Sequence, residues 1–259
     1  MKLSANLSFL FPELSFQDRF QAAAACGFHG VEFLFPYGNP AEEIKNWLKE
    51  AKLESVLFNA PPGDWKNGER GIAALPGREE EFQQSFQLAL SYAANLNCPR
   101  IHVMAGNIPV GYGAHDCYAV LARNLQWAAL LAAKNNITLL LEPLNPGDMP
   151  GYLYSRTSEV ANLIDRLGQP NVKLQLDLYH REIVEGDTVG AIEQFRNYIG
   201  HIQIAGVPDR NEPNLGTLDL KAIFKAIHDV GYRDWIGCEY NPMGATQDGL
   251  TWAEQYLDR

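Results

Sequence analysis

The sequence predicts a single (β/α)8 TIM barrel, an α/β fold in which parallel strands alternate with helices. Short runs rich in β-branched and aromatic residues alternate eight times with longer segments of helical period. No Gly/Ser-rich or Pro-rich linker and no break in composition divides the 259 residues. We therefore expect one catalytic domain over residues 1–259, with a doubly wound open sheet as the alternative.

Each predicted strand is a short apolar run that ends in polar or turn-forming residues. The eight predicted strands are Leu3–Ser8, Gly30–Phe35, Leu53–Asn59, Arg100–Ala105, Ile137–Glu142, Val172–Asp177, His201–Ala205 and Trp235–Tyr240. Their regular alternation with longer segments requires a crossover between neighbouring strands, which is the connection that parallel sheets use.

The predicted helices carry apolar residues three and four positions apart, as in Phe82, Phe86 and Ala89, which gives each helix one buried face. Gly27, Gly168 and Gly231 follow three of them, where a left-handed glycine commonly ends a helix. The predicted helices are Phe16–Cys26, Pro40–Ala51, Glu79–Leu96, Asp116–Asn135, Ser158–Leu167, Thr188–Tyr198, Leu220–Val230 and Gln247–Leu257.

The composition and the motifs argue against several classes of protein. With 21 basic and 31 acidic side chains the net charge is −10, which disfavours nucleic acid as a partner. No apolar run is long enough to cross a membrane, and no dinucleotide or phosphate-loop motif occurs. The four cysteines are scattered without C-x-x-C spacing, so we expect reduced thiols and a cytoplasmic protein. The sequence leaves open whether the chain forms a homo-oligomer.

Polar residues collect at the carboxyl ends of the predicted strands, where the pocket of a barrel begins. Those on the first four strands are Asn6, Glu32, Asn59 and His102, and those on the last four are Glu142, Asp177, Gln203 and Glu239. The residues of the last four follow or interrupt strongly apolar strands. We interpret them as the candidate site and Glu32, Asn59 and His102 as further pocket residues.

Buried carboxylates need a compensating positive charge, because their desolvation costs several kcal/mol. Few basic residues share these strands, so a divalent cation bound by Glu142, Asp177, Glu239 and the amide oxygen of Gln203 is the simplest solution. An all-oxygen ligand set favours Mg²⁺ or Mn²⁺. The alternative is that the acids merely cap the helices that follow them.

The sequence also resembles the hydroxypyruvate isomerase family of xylose-isomerase-like barrels, nearly from end to end. The segments that carry the resemblance are ANLSFLF at Ala5–Phe11, GVEFLFPY at Gly30–Tyr37, ALPGREEE at Ala74–Glu81, LEPLN at Leu141–Asn145, QLDLYH at Gln175–His180, HIQIAGVPDRNEP at His201–Pro213 and IGCEY at Ile236–Tyr240. Together these segments are highly specific, whereas LEP alone would not be.

The resemblance implies a divalent metal at Glu142, Asp177, Gln203 and Glu239, with Glu142 and Glu239 also exchanging the substrate proton. It implies isomerisation of hydroxypyruvate to tartronate semialdehyde, or of 2-oxo-tetronate to 3-oxo-tetronate, through an enediolate. The stretches IHVMAG, NPGDMPGYLYS and IAGVPDRNEP are closer to the 2-oxo-tetronate branch. Related sugar epimerases carry a histidine where Gln203 stands, so a carbohydrate 3-epimerase acting on a neutral ketose is the alternative.

Two residues beyond the strand ends are expected to bind the substrate. His180 and Arg210 could reach over the pocket to its oxygens and carboxylate, although Arg210 could instead pair with Asp209 or Glu212 in a surface loop. Two long loops, Ala60–Arg78 and Pro143–Thr157, could cover the pocket. Less favoured alternatives are a zinc phosphodiesterase related to the apurinic-site endonucleases, which would use many histidines, and a non-catalytic binding protein.

Overall fold

The computed structural model describes residues 1–257 and shows a closed parallel barrel in the order β1 to β8. The strands are β1 Lys2–Asn6, β2 Gly30–Phe33, β3 Glu54–Asn59, β4 Arg100–His102, β5 Thr138–Leu141, β6 Val172–Asp177, β7 Ile199–Ile204 and β8 Trp235–Cys238. The barrel closes where β1 pairs with β8, with Leu3 opposite Ile236. The predicted closed barrel is confirmed, and the open sheet is excluded.

Helices connect the strands around the outside of the barrel. Within residues 1–257 the α-helices are α1 Phe16–Ala25, α2 Ala41–Ala51, α3 Glu79–Leu96, α4 Ala114–Ala133, α5 Thr157–Leu167, α6 Leu178–Val184, α7 Thr188–Gln194 and α8 Leu220–Asp229. The predicted helices correspond to α1–α5, α7 and α8, with shifts of a few residues at their ends. The sequence did not predict α6, because this helix follows β6 without a connecting loop.

The last predicted helix, Gln247–Leu257, is a 3₁₀ helix over Asp248–Tyr256. Its buried side chains, Leu250 and Ala253, are three positions apart. A spacing of three residues aligns side chains on one face of a 3₁₀ helix, whereas an α-helix needs 3.6 residues per turn. The segment therefore covers the barrel beside β8 in the tighter conformation.

The principal core lies between the outward-facing strand residues and the helices. It includes Phe20 and Phe33, which are almost completely buried and pack with their rings tilted at a centroid distance of 6.1 Å. A smaller apolar cluster consists of Val56, Leu57, Leu140 and Trp235. Because side chains alternate across a strand, Leu140 lies on the same inner face as Glu142 two residues later. The small cluster therefore fills the barrel below its carboxyl end.

The two long loops, Ala60–Arg78 and Pro143–Thr157, each form a β-bridge with the segment that follows β4. Gly71 forms a bridge with Ala105, and Tyr152 forms one with Asn107. Gly71 has a φ of +116°, and a Cβ there would lie 2.3 Å from the carbonyl oxygen of Met104, so the close approach of the loop requires glycine. In the described part of the chain, no helix is long and apolar enough to cross a membrane.

We predict that Phe20→Ala lowers the free energy of unfolding by about 3–5 kcal/mol, because it removes a fully buried ring and leaves a cavity. Urea denaturation followed by circular dichroism measures the loss. Leu130→Ala is the control, since Leu130 is 59% exposed and its truncation should change stability little. Equal losses in the two variants would contradict the assignment of the core.

Candidate active site

Three carboxylates lie at the carboxyl ends of the barrel strands. We call this end of the barrel the mouth. Glu142 directly follows β5, Asp177 is the last residue of β6, and Glu239 directly follows β8. All three are at most 6% exposed. In the closed strand order only β6 and β7 lie between β5 and β8, so the barrel brings together acids that are far apart in sequence.

Asp177 has two roles at this point of the chain. Its Oδ1 accepts the backbone N–H of Tyr179 at 2.8 Å and so caps α6. Its Oδ2 lies 3.7 Å from Nε2 of His180 and 3.4 Å from Nη2 of Arg210. The helix-cap alternative therefore holds for one oxygen of Asp177, while the other oxygen faces the mouth.

Arg210 supplies positive charge to these acids. Its Nη2 lies 2.7 Å from Oε1 of Glu239 and 3.4 Å from Asp177, and its Nη1 lies 3.7 Å from Oδ2 of Asp148. The guanidinium carbon lies 5.0 Å from the ring centroid of Phe9 and 4.9 Å from that of Tyr179. Arg210 therefore lies in the mouth, held by acids and aromatic rings, and not in a surface loop.

The buried acids hold protons more tightly than exposed ones. Burial raises the pKa of Glu142 well above its ordinary value, and the charges of Glu239 and Asp177 raise it further. Burial also raises the pKa of Glu239, to about 8, although Arg210 opposes the shift. Asp177 shows a raised pKa for the same reason, again opposed by Arg210. The mouth thus holds three carboxyl groups with raised pKa values, of which that of Glu239 lies near neutral pH.

Gln203 and Asn6 donate hydrogen bonds to Glu239. Nε2 of Gln203 lies 2.6 Å from Oε2 of Glu239, and Nδ2 of Asn6 lies 2.7 Å from the same oxygen. Oε1 of Gln203 accepts a hydrogen bond from Nε2 of Gln175 at 2.7 Å. The amide nitrogen of Gln203, and not its oxygen, is therefore the atom directed at the acids.

His180 is held in one orientation by Asn145. The backbone N–H of Asn145 donates to Nδ1 of His180 at 3.2 Å, and the Asn145 side-chain nitrogen lies 2.8 Å from the same atom. Burial lowers the pKa of His180 well below its ordinary value, so the ring is neutral. Because Nδ1 accepts a hydrogen bond, the ring proton is on Nε2, which faces Asp177 and Glu142.

Glu142, Asp177 and His180 form a group that could hold a metal ion, since one potential ligand atom from each lies within 4.8 Å of the others. All three residues are buried. Oε1 of Glu142 has no hydrogen-bond partner among residues 1–257. A buried carboxylate oxygen without a partner is costly, so this donor set fits a bound cation.

The other expected pocket residues occupy different depths. His102 is buried with Nδ1 at 3.5 Å from Glu142, and burial lowers its pKa to about 3, so it is neutral. Asn59 is buried, and its carbonyl oxygen accepts the hydroxyl of Tyr37 at 2.7 Å. Glu32 is completely buried and accepts hydrogen bonds from Oγ of Ser4 and from Nε2 of Gln203. His102 therefore belongs to the mouth, whereas Glu32 supports it from beneath.

Sequence reasoning missed three residues that contact the predicted ones. Gln175 and His201 stand two positions before Asp177 and Gln203, so strand alternation directs them into the barrel as well, and this spacing could have identified them. Asn145, which orients His180, lies 35 positions away from it in sequence. No local pattern could have revealed that contact.

The chain is similar to known proteins along nearly its whole length. A family model described as Xylose isomerase-like TIM barrel matches residues 20–256. The 2-oxo-tetronate isomerase of Cupriavidus necator is 47% identical over 258 residues, 100% of this chain and 99% of that protein. The hydroxypyruvate isomerase of Escherichia coli is 44% identical over 256 residues, 99% of either chain. A crystal structure described as an AP endonuclease, family 2, from Brucella melitensis has a TM-score of 0.97 at 47% identity and covers 99% of both chains.

The fold and these matches define the class as the xylose isomerase-like TIM barrels. Within that class, the chain belongs to the hydroxypyruvate isomerase family of enzymes. The expected resemblance is thereby confirmed along the full length of the chain.

We predict that Arg210→Gln destabilises the metal-free protein more at pH 8 than at pH 5. The folded-state pKa of Glu239, about 8, lies above its ordinary value of 4.5, so the proton on Glu239 stabilises the fold at low pH. That stability is lost as the pH rises from about 4.5 through 8, because the acid ionises in a buried site. Without the guanidinium the ionised acids lose a partner, and we expect a loss of about 3–5 kcal/mol at pH 8.

Urea denaturation in the presence of EDTA at both pH values measures this difference. Arg156→Gln is the matched control, because the side chain of Arg156 is 59% exposed and its ion pair with Glu185 should contribute little. An Arg210→Gln loss of equal size at pH 5 and pH 8 would show that Arg210 does not compensate the acids.

Proposed function

We propose that this enzyme isomerises a small 2-oxo acid with a hydroxyl on carbon 3, such as hydroxypyruvate or 2-oxo-tetronate. The observation that carries the proposal is the burial of three acids, Glu142, Asp177 and Glu239, around Arg210, which forms ion pairs with Asp177 and Glu239 and is also influenced by the charge of Glu142. All three acids have raised pKa values, and His180 lies beside Glu142 and Asp177. Proton transfer at a carbon next to a carbonyl needs acid and base groups of this kind.

The donor set supports a divalent cation, Mg²⁺ or Mn²⁺, held by Glu142, Asp177, Glu239 and the side-chain oxygen of Gln203. When bound, the cation supplies Lewis-acid stabilisation of negative charge on the substrate oxygens. In this structure the amide oxygen of Gln203 accepts from Gln175, so Gln203 must turn its amide to act as a ligand. The unpartnered oxygen of Glu142 is already available.

The reaction moves one proton between neighbouring carbons of the substrate. A base removes the proton from carbon 3, which bears the hydroxyl, and an enediolate forms as the carbonyl at carbon 2 gains negative charge. An acid then delivers a proton to carbon 2, while the hydroxyl proton passes from the oxygen on carbon 3 to the oxygen on carbon 2, so that the carbonyl is now at carbon 3 and the hydroxyl at carbon 2. Glu142 and Glu239 are our candidates for these two steps, because each is buried and each has a raised pKa.

Two donors at the mouth suit the substrate's oxygens. Nε2 of His180 carries the ring proton and faces the space between Glu142 and Asp177, where it can donate to a substrate hydroxyl or carbonyl oxygen. Nε of Arg210 is buried and has no hydrogen-bond partner in the part of the chain that the structure describes. This spare N–H, on a group that is always charged, fits the substrate carboxylate.

Isomerisation in D₂O with Mg²⁺ or Mn²⁺, followed by NMR, tests the proposal directly. Hydroxypyruvate and 2-oxo-tetronate are the two substrates, since the similar proteins from Escherichia coli and Cupriavidus necator bear those names. Product formation with deuterium incorporated at carbon 2 is the expected result. D-Fructose and DNA containing an abasic site serve as comparison substrates for the epimerase and endonuclease alternatives. Turnover of either one, but of neither acid, would overturn the proposal.

We predict that Asp177→Asn abolishes stoichiometric metal binding and lowers turnover of the 2-oxo acid by at least about 10²-fold, the usual contribution of one acid–base or charge-stabilising group. The amide retains the shape but loses the charge that faces His180 and Arg210. Calorimetric titration with Mn²⁺ and steady-state kinetics measure both effects.

Asp148→Asn is the matched control for that substitution. Asp148 also faces Arg210, at 3.7 Å, but its side chain is 35% exposed and lies outside the group formed by Glu142, Asp177 and His180. Metal affinity should stay near wild type in this variant. Normal metal binding by Asp177→Asn would remove Asp177 from the site.

We predict that Arg210→Lys weakens kcat/KM for the 2-oxo acid by about 1.5–3 kcal/mol, the range for a hydrogen bond to a charged group. Lysine retains the charge but lacks the planar fork and the spare Nε–H of arginine. Arg156→Lys is the control, because it makes the same arginine-to-lysine substitution at an exposed position. A kcat/KM within twofold of wild type for Arg210→Lys would contradict the assignment of Arg210 to the carboxylate.

A further inference from the structure

A cavity of about 410 Å³ lies at the end of the barrel opposite the mouth, where the strands begin. Its lining includes Arg100, the first residue of β4, Lys173, the second residue of β6, and Gly200, the second residue of β7. We call this space the amino-end cavity. Its volume is within the range of sites that bind small molecules.

Positive charge is concentrated in the amino-end cavity. Four basic side chains line it, those of Arg100, Lys173, Arg196 and Arg233, whereas Asp234 is the one acid among the described lining residues. The chain as a whole has a net charge of −10, so the cavity has the opposite sign to the rest of the protein. A concave site lined by charge of one sign raises the local concentration of ions of the other sign.

One of the four cations is already neutralised. Arg100 forms an ion pair with Asp234 through Nη2, and its Nε donates to the carbonyl oxygen of Gly200 at 3.2 Å. The other three, Lys173, Arg196 and Arg233, form no ion pair with an acid in the part of the chain that the structure describes. Their charge is therefore available to a ligand.

Lys173 is held against the wall of the cavity. Its Nζ donates to the carbonyl oxygen of Asn197 at 3.2 Å. A Cβ at position 200 would lie 2.6 Å from Cβ of Lys173, so β7 can pass this close to the lysine only because residue 200 is glycine. An ammonium group has three N–H donors, and this contact uses one of them. Lys173 thus has its stem fixed and further donors to offer.

The two unpaired arginines lie beside the ends of helices. Nη1 of Arg196 donates to the carbonyl oxygen of Glu193 in α7 at 3.0 Å, and Nη1 of Arg233 donates to that of His228 in α8 at 3.0 Å. Cations are common at these positions, because the end of a helix carries about half a negative charge. Two helix ends and Asp234 together offset about two of the four positive charges, so about two remain.

These two arginines also retain donors for a ligand. Each of the hydrogen bonds to a helix uses Nη1, whereas a guanidinium group has five N–H donors in a planar fork. The bonds to the helices hold the guanidinium groups of Arg196 and Arg233 in place. A fork of this kind matches the oxygens of a phosphate group, to which arginine can donate two parallel hydrogen bonds.

We propose that the amino-end cavity binds a small anion that carries a phosphate group, either inorganic phosphate or a phosphate monoester. Lys173, Arg196 and Arg233 are the groups that bind it, since Arg100 is occupied by Asp234. A phosphate dianion matches the two positive charges that the cavity retains. The cavity and the mouth lie at opposite ends of the barrel, so this site is separate from the substrate site and does not depend on the proposed function.

Calorimetric titration of the wild-type enzyme with sodium phosphate tests the site. Sodium chloride keeps the ionic strength constant, because exposed charges are screened by salt. We expect one phosphate per chain with a Kd of about 0.1–1 mM, the affinity that two or three charge-assisted hydrogen bonds provide. Glycerol 3-phosphate, which lacks a carboxylate, is titrated in parallel. Tighter binding of this ester would identify a monoester as the ligand, and tighter binding of phosphate would identify the free ion.

Two substitutions remove charge from the cavity. Lys173→Met retains the apolar stem beside Gly200 but loses the ammonium group, and Arg233→Gln removes a guanidinium group. We expect each variant to bind phosphate at least about 10-fold more weakly, the usual cost of one hydrogen bond between charged groups. Arg123→Gln is the matched control, because this side chain is 63% exposed and lies outside the cavity. Its affinity should stay within about twofold of wild type.

Arg210→Gln separates the amino-end cavity from the mouth, where another arginine could bind an anion. Wild-type phosphate affinity in this variant is expected. No binding of either anion by wild type at 10-fold above the expected Kd would overturn the proposal. So would unchanged affinity in a folded Lys173→Met variant, or a loss in Arg210→Gln larger than that in Lys173→Met. If Arg233→Gln fails to fold by circular dichroism, Lys173→Met decides the test.

A crystal of wild type soaked in phosphate shows where the anion binds. We expect phosphate oxygens within hydrogen-bond distance of Nζ of Lys173 and of the Arg233 guanidinium. A phosphate found in the mouth and not in the amino-end cavity would overturn the proposal. The outcome of the isomerase assay has no bearing on this result, so the two proposals fail or stand separately.

Discussion

The burial of several carboxylates at one end of a barrel is the constraint on which the rest of this structure depends. Glu142, Asp177 and Glu239 are each nearly inaccessible to water, and each would be costly to ionise alone. The fold offsets this cost in three ways: raised pKa values, the guanidinium of Arg210, and amide donors from neighbouring strands. The balance is incomplete, since an oxygen of Glu142 still lacks a partner among the described residues.

We propose that this incomplete balance makes the site suitable for catalysis. A fully neutralised cluster would have no affinity for a cation and no group ready to exchange a proton near neutral pH. Arg210 compensates the acids, yet its buried Nε–H has no partner among residues 1–257. In the proposed function this N–H allows the acidic mouth to accept an anionic substrate. In this proposal, uncompensated charge that would destabilise a structural core serves to bind the cation and the substrate.

Buried polar side chains beneath the mouth, among them Glu32 and Gln175, extend this logic. Each strand directs alternate side chains inward, so a residue that serves the mouth has a neighbour two positions earlier that supports it. Gln175 supports Gln203, and Glu32 holds the amides that contact Glu239. Groups that react must be held within small tolerances by the groups around them. These residues lie on or next to barrel strands and not in long loops. The strands therefore fix the positions of the mouth residues and of the residues beneath them.

The sequence by itself determined the fold and the candidates for the site, because both depend on local patterns. Eight alternations of strand and helix specify a barrel, and polar residues at strand ends must meet at its mouth. Only the tertiary structure decided how these residues are used. It placed Arg210 among the acids, gave Asp177 a second role as the cap of α6, and directed the amide nitrogen of Gln203 toward Glu239. Hydrogen-bond orientation depends on partners that are distant in sequence, as Asn145 is from His180, and no local pattern encodes it.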